Sequence, residues 1–339
     1  MLALGLGAQP LAAKSAAEAT VTAPAPRPAA RPARPATAEA LGRRLALLNG
    51  ARSWGYQLHS LKVEDAAATP FDMLVVDATT GLAAGRHFKP EEVASLKRKP
   101  DGQRRIVVSY LSVGEAEDYR PEYFTKEYMT EDAPDWLMHE NKDWKGNRII
   151  RFCSEGWQQT ILGDETGRSV YNSIEWSPLY RLIDLGFDGV YLDRVDVYEE
   201  IAKDCPDGEA RMVEFVARLA AHARKKNPNF LVILQNAEDL LKHRKMIDAI
   251  DAVAKESLFH GWGGGDGSNR QSVNSADSVK WSVDRLNIAK KAGRAIFVID
   301  YAQGRAAADT SVRRIRELGF VPYIGPKELG QLWLPGGNF

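Results

Sequence analysis

The sequence predicts a (β/α)8 barrel on three observations. Short apolar runs without polar alternation recur along the chain, helical patterns separate them, and acidic or amide residues end one run after another. Unalternated runs suit strands covered on both faces, as in a parallel sheet. Their alternation with helices implies crossovers between parallel neighbours. An open doubly wound sheet is the alternative, but no glycine-rich phosphate fingerprint follows the first strand.

The elements can be justified in chain order. Met1–Ala8 is apolar and carries no Lys or Arg, and reads either as a ragged terminus or as the end of a secretory signal without its basic region. Pro24, Pro26, Pro28, Pro32 and Pro35 then stand among alanines. Such a segment favours extended conformations and offers little to bury, so residues 1–40 are expected to be a disordered tail and linker, and 41–339 one barrel domain. The first strand is Trp54–Leu58, the second Met73–Val76 and the third Ile106–Val108, with a helix over 91–98 between the last two. Arg148–Phe152 is a weaker fourth and Gly189–Leu192 the fifth. Met212, Phe215, Val216, Leu219 and Ala223 then share one helical face, and Asn227-Pro228 stops that helix. Leu231–Leu234, Ala252–Lys255 and Ala295–Ile299 complete eight strands, interleaved with helices over 238–247 and 277–292. A last helix over 309–318 leads to Phe320–Ile324, expected as a ninth, terminal segment.

Composition narrows the function. The 339 residues are 44% hydrophobic and 27% charged, as in soluble globular proteins, with 45 Lys+Arg against 45 Asp+Glu. A net charge of zero argues against general nucleic-acid binding, which needs clustered excess cations. No run approaches the length of a membrane span. The balance is uneven, since the tail has Lys14, Arg27, Arg31 and Arg34 against Glu18 and Glu39, leaving a slightly acidic body. Cys153 and Cys205 form either one bridge or two buried thiols. The six histidines show no metal-ligand spacing, so no metal and no cofactor is expected. There is no GxSxG elbow, and the run Gly261–Gly267 lacks the ending of a phosphate loop; it reads as a mobile loop or lid carrying Trp262.

The strand ends carry the chemistry. Asp77 follows the second strand, Tyr110, Ser112 and Glu115 the third, and Asp193 the fifth. Gln235 and Asn236 follow the sixth, Glu256 the seventh, and Asp300 and Tyr301 the eighth. In a parallel barrel all of these emerge on the C-terminal rim, where barrel active sites are built. Any single one can be a helix cap or turn residue. Together they suggest acid–base chemistry, and two rim carboxylates, one protonated and one ionised, are the apparatus that cleaves glycosidic bonds. Trp136, Trp144, Trp157, Trp176, Tyr198 and Trp262 fall in expected loops, where rings stack on sugars or simply pack.

Several segments carry a resemblance. They are Trp54–Leu58, Phe71–Asp77, Val108–Glu117, Gly186–Asp196, Gln235–Glu238, Ala254–Leu258, Val298–Tyr301 and Gly319–Tyr323, in this order from about Trp54 to Leu334. The chain thereby resembles the endo-α-1,4-polygalactosaminidases, glycoside hydrolase family 114. The resemblance implies a (β/α)8 barrel that hydrolyses α-1,4-linked galactosamine polymers outside the cell or in the periplasm, with Asp193 and Glu256 as the matching catalytic carboxylates. Where many relatives read Gln-Asn-Gly-Glu, this chain has Ala237 in place of the glycine, and alanine adopts positive φ less cheaply.

The expected function is therefore endo-hydrolysis of a polysaccharide, a cationic amino-sugar polymer, by a secreted or periplasmic monomer, with a cytoplasmic location left open. Asp193 and Glu256 divide the roles of acid and of nucleophile or base. Apolar Leu258 and Phe259 beside Glu256 suggest it as the carboxyl with the raised pKa. Glu115, Asp77 and Asp196 make the mouth anionic, and Tyr56, Tyr110, Asn236 and Tyr301 orient hydroxyls. A barrel that binds polysaccharide without cutting it is the alternative, and a metal-dependent deacetylase lacks ligand spacing.

Overall fold

The order of strands around the sheet decides where the rim residues meet. A computed structural model describes residues 36–79, 86–118, 120, 133–169, 176–262 and 271–334. Most of the expected tail therefore lies outside the described residues, as does most of the Gly261–Gly267 run. Within the expected linker, residues 36–40 are already helical, in α1 (Ala36–Gly50).

Eight parallel strands form a nearly closed (β/α)8 barrel, in the order β1 (Trp54–Gln57), β2 (Met73–Val76), β3 (Ile106–Ser112), β7 (Gly189–Asp193), β8 (Leu231–Gln235), β9 (Ala252–Glu256), β12 (Ala295–Asp300) and β13 (Val321–Ile324). The seam between first and last strands is bridged by Trp54, whose Nε1 donates to Val321 O at 3.1 Å. Two expectations change here. Arg148–Phe152 does not enter the barrel: β6 (Asn147–Ile150) pairs antiparallel with β4 (Glu115–Glu117) and β5 (Leu137–Glu140) in a small sheet inserted after β3. The expected ninth segment, β13, is the eighth stave instead. A further hairpin, β10 (His260–Trp262) with β11 (Gln271–Val273), follows β9.

Helices cover the outside: α2 (Val63–Ala67), α3 (Pro90–Leu96), α4 (Glu155–Leu162), α5 (Pro178–Leu185), α6 (Gly208–Lys226), α7 (Arg244–Ala249), α8 (Ala276–Lys291) and α9 (Arg305–Glu317). The amphipathic reading of α6 holds, since Met212, Phe215, Val216, Leu219 and Ala223 are all buried. At the N-terminal end of the strands, buried Asp251 accepts from Arg44 Nε of α1 at 2.9 Å and from Arg224 of α6 at 2.7 Å, so one acid pins two helices to the barrel. Cys153 and Cys205 are joined in a disulfide, which ties the segment after β6 to the loop that follows β7.

The barrel interior is aromatic. Trp54 and Tyr56 stack at 6.2 Å, Tyr56 and Tyr191 lie 5.0 Å apart, and Phe297 and Tyr323 each approach Trp54 at 5.7 Å. All five are buried. This packed plug closes the barrel below its C-terminal rim, so polar groups on the rim have water on one side only.

Candidate active site

Asp193 and Glu256 are the last residues of β7 and β9, separated by the single strand β8. The parallel register that ends each strand at the rim directs both into one cleft of about 620 Å³. Tyr56, Asp77, Tyr110, Glu115, Asp196 and Asn236 line the same cleft.

The two carboxyls are held by neutral donors. Tyr110 OH donates to Asp193 Oδ2 at 2.7 Å, and the Arg194 backbone N–H to Oδ1 at 2.7 Å. Gln235 Nε2 donates to Glu256 Oε2 at 2.8 Å, while Tyr301 OH donates to Oε1. Asn236 Oδ1 accepts from the Glu256 backbone N–H at 3.0 Å, fixing the strand end itself. Burial, and then the charge of Glu256, push Asp193 up to about 7; Asp196 adds to this and the Tyr110 bond opposes it. The surroundings raise Asp193; the sequence expectation named Glu256, through Leu258 and Phe259. Those two side chains belong to the hydrophobic core.

Tyr56, Tyr191 and Tyr301 beneath the pair are all pushed well above the usual phenol range, first by burial and then by nearby charge. They are therefore neutral hydroxyls at any working pH. Tyr191 was invisible in the sequence because it sits inside an apolar run, and its hydroxyl has no hydrogen-bond partner among the described residues.

Other rim acids have basic side chains as partners. Asp77 accepts from Thr79 N at 2.8 Å and is paired with Arg120. Glu115 is 2% exposed and pairs with Arg194 Nε at 2.6 Å, while Asn141 and Asn147 donate to its two oxygens. Gly114 permits this closeness, because a Cβ there would stand 2.2 Å from Arg194 O. Asp300 accepts from the Phe259 and His260 N–H groups and pairs with the His260 ring, clasping the loop after β9. Asp196 lies 3.7 Å from Arg194 and is raised by burial. The anionic mouth expected from Asp77 and Glu115 is thus largely neutralised.

Glu117, not singled out in the sequence, also lines the cleft. It is 2% exposed, and burial lifts it to about 8 despite Arg120 nearby. Among the aromatics, Trp136 and Trp157 pack against each other in the core and Tyr198 is buried. Trp262 is on strand β10, outside the cleft lining, with Lys327 over its ring at 5.3 Å. Trp144 alone of the six lines the cleft. Among the described residues, no three His, Cys, Asp or Glu side chains are gathered as a metal ion requires.

The sequence model of glycoside-hydrolase family GH114 matches residues 34–335. An uncharacterised protein of Deinococcus radiodurans is 31% identical over 290 residues, 85% of this chain and 84% of its own. One from Methanocaldococcus jannaschii is 28% identical over 300 residues, 83% of this chain and 79% of its own. Among solved structures, the glycoside hydrolase domain of PelA from Pseudomonas aeruginosa matches with a TM-score of 0.62 at 20% identity, covering 83% of this chain and 97% of that domain. That last likeness is one of fold.

Proposed function

The chain belongs to glycoside-hydrolase family GH114, and on that premise we propose that it is an endo-acting glycosidase of α-1,4-linked galactosamine-containing polysaccharide, with Asp193 and Glu256 as its catalytic carboxyls. The observation that carries this is the pairing of two rim carboxyls in one cleft, electrostatically coupled and held, among the described residues, by neutral donors. Such a pair takes up one proton readily at neutral pH, because a second negative charge beside the first is disfavoured.

Asp193, raised to about 7, holds that proton and gives it to the glycosidic oxygen as the bond to the anomeric carbon breaks. Glu256 acts as the carboxylate, its charge steadied by Gln235 and Tyr301, either attacking the anomeric carbon or drawing a proton from water. The aromatic plug below excludes water from the inner side of the pair and so strengthens every charge interaction above it. Asn236, by fixing the Glu256 backbone, is a positioning residue.

The closed Cys153–Cys205 bond supports a secreted or periplasmic location, where disulfides persist. No helix among the described residues is long and apolar enough to cross a membrane. The test is release of oligosaccharides from α-1,4-galactosamine polymer and from its N-acetylated form. Asp193→Asn and Glu256→Gln should each lower cleavage by at least about a hundredfold; wild-type rates in both would remove the pair from the mechanism.

A further inference from the structure

The insertion between β3 and β7 reaches the cleft through the turn joining β5 to β6. Trp144 sits on that turn, lines the cleft and is 57% exposed. Other tryptophans of the described residues are buried, or carry a cation on the ring as Trp281 does with Arg285 at 3.8 Å, or, like Trp176, stand outside the cleft lining. Trp144 thus presents a large apolar face to the space that the substrate would enter.

The turn beneath it is firmly built. The Asn141 N–H donates to Asn147 O at 2.7 Å, the Asn147 N–H to Trp144 O at 3.1 Å, and the Asp143 N–H to Asn141 Oδ1 at 2.8 Å. The side chains of Asn141 and Asn147 grip the two oxygens of Glu115 at 2.7 and 2.8 Å, from either side of the turn. Glu115 in turn is paired with Arg194, the residue directly after Asp193. One buried carboxylate therefore fixes the Trp144 turn relative to the catalytic strand end.

We propose that Trp144 is the stacking platform of a further saccharide subsite in this cleft, binding a pyranose ring of the polymer away from the bond that is cut. A pyranose has a face of C–H groups that packs on an indole, and its polar rim needs hydrogen-bonding groups around it. Lys142 and Asp143, beside Trp144 in the lining, supply them. An aromatic platform costs little conformational entropy because the ring has few torsions to fix, and a cationic amino sugar would gain further from the face of the indole. The subsite rests on the glycosidase reading and adds what holds the chain in register while the pair acts.

The test uses the Asp193→Asn protein, so that nothing is consumed, titrated calorimetrically with galactosamine oligosaccharides of increasing length. Affinity should rise with length. Adding Trp144→Ala should flatten that rise and weaken the longest oligosaccharides about tenfold, whereas Trp144→Phe should keep most of it. Melting temperatures of both variants separate loss of the ring from loss of the fold. An unchanged length dependence in a Trp144→Ala protein that melts normally would overturn the subsite alone. Absence of binding at every length, with no cleavage by wild type, would overturn the glycosidase reading and the subsite with it.

Discussion

Replacing Asp193 by Asn should make the protein inactive yet more stable at alkaline pH, and the size of the gain follows from the site. Burial and Glu256 lift the Asp193 carboxyl from 3.8 to about 7. An acid whose folded pKa is raised contributes fully to stability below its unfolded value, near 4, and loses that contribution as pH rises through the folded value. Full expression of the difference would be about 4 kcal/mol. The carboxyl is half-buried at a wet cleft, and solvent screening lowers the expected loss to about 1–2 kcal/mol. Wild type should therefore lose that amount between pH 4 and pH 8, and Asp193→Asn should not. At about 2 °C per kcal/mol for a domain of this size, the variant's Tm relative to wild type should climb by about 2–4 °C over that range and then level off. Titrating groups that do not interact with Asp193 cancel in the difference between the two proteins. Scanning calorimetry at matched ionic strength reads it, and a difference that is flat from pH 4 to pH 8, or falls, would refute the raised pKa. The same group predicts an activity that declines above about pH 7, as the acid loses its proton.

Three further outcomes follow from other residues. Glu117→Gln should be near neutral at about pH 4, where the carboxyl is protonated folded or unfolded, and should gain stability over wild type as pH rises from about 4.5 to about 8, levelling off above that; urea titrations at pH 4 and pH 9 read the two ends. Asn236 and Ala237 adopt φ values of 51° and 49° in succession, so Ala237→Gly should be neutral or stabilising by up to about 1 kcal/mol, unlike glycine in a strand or helix. A clear destabilisation in chemical denaturation would contradict the strain. Reducing the Cys153–Cys205 bond, which spans 52 residues, should cost about 2–4 kcal/mol and lower Tm by several degrees, measured with and without dithiothreitol.

Most of the barrel was legible because strands covered on both faces are written as continuous apolar runs: Met73–Val76, Leu231–Leu234 and Ala295–Ile299 each lie inside an observed stave. Arg148–Phe152 was legible as a strand but not as to its partner. Ile149 and Ile150 are buried, but their strand pairs with β4 and β5 rather than with a barrel stave, and a short run does not encode which edge it joins. Val321–Ile324 was undervalued for the complementary reason, since its first two residues are only half-buried and one is Pro322. At the site, the strand-end carboxyls could be read because the C-terminal rim is a consequence of topology. The partners of Asp77, Glu115 and Asp300 could not, because they arrive from other loops: Arg120 lies 43 residues from Asp77, and His260 lies 40 from Asp300.

Those pairings explain why chemistry would concentrate at two acids among many. Glu115 with Arg194, Asp77 with Arg120 and Glu238 with Lys255 each have their charge met by a cation at 3.0 Å or less. A carboxylate so paired is fixed in place by its cation, which suits it to brace a loop. Asp193 and Glu256 have tyrosine hydroxyls, a glutamine amide and a backbone N–H instead, and among the described residues neither has an ion-pair partner. Their negative charge is compensated by nothing but each other's proton. A cation introduced beside them should consequently disarm the acid without touching it: Gln235→Lys, at the position that now donates to Glu256, would neutralise that carboxylate and remove its push on Asp193. The alkaline limb of activity should then move below pH 7, with residual turnover reduced. A limb left near pH 7 in a folded Gln235→Lys protein would mean that burial alone, and not the coupled charge, sets the proton affinity of Asp193.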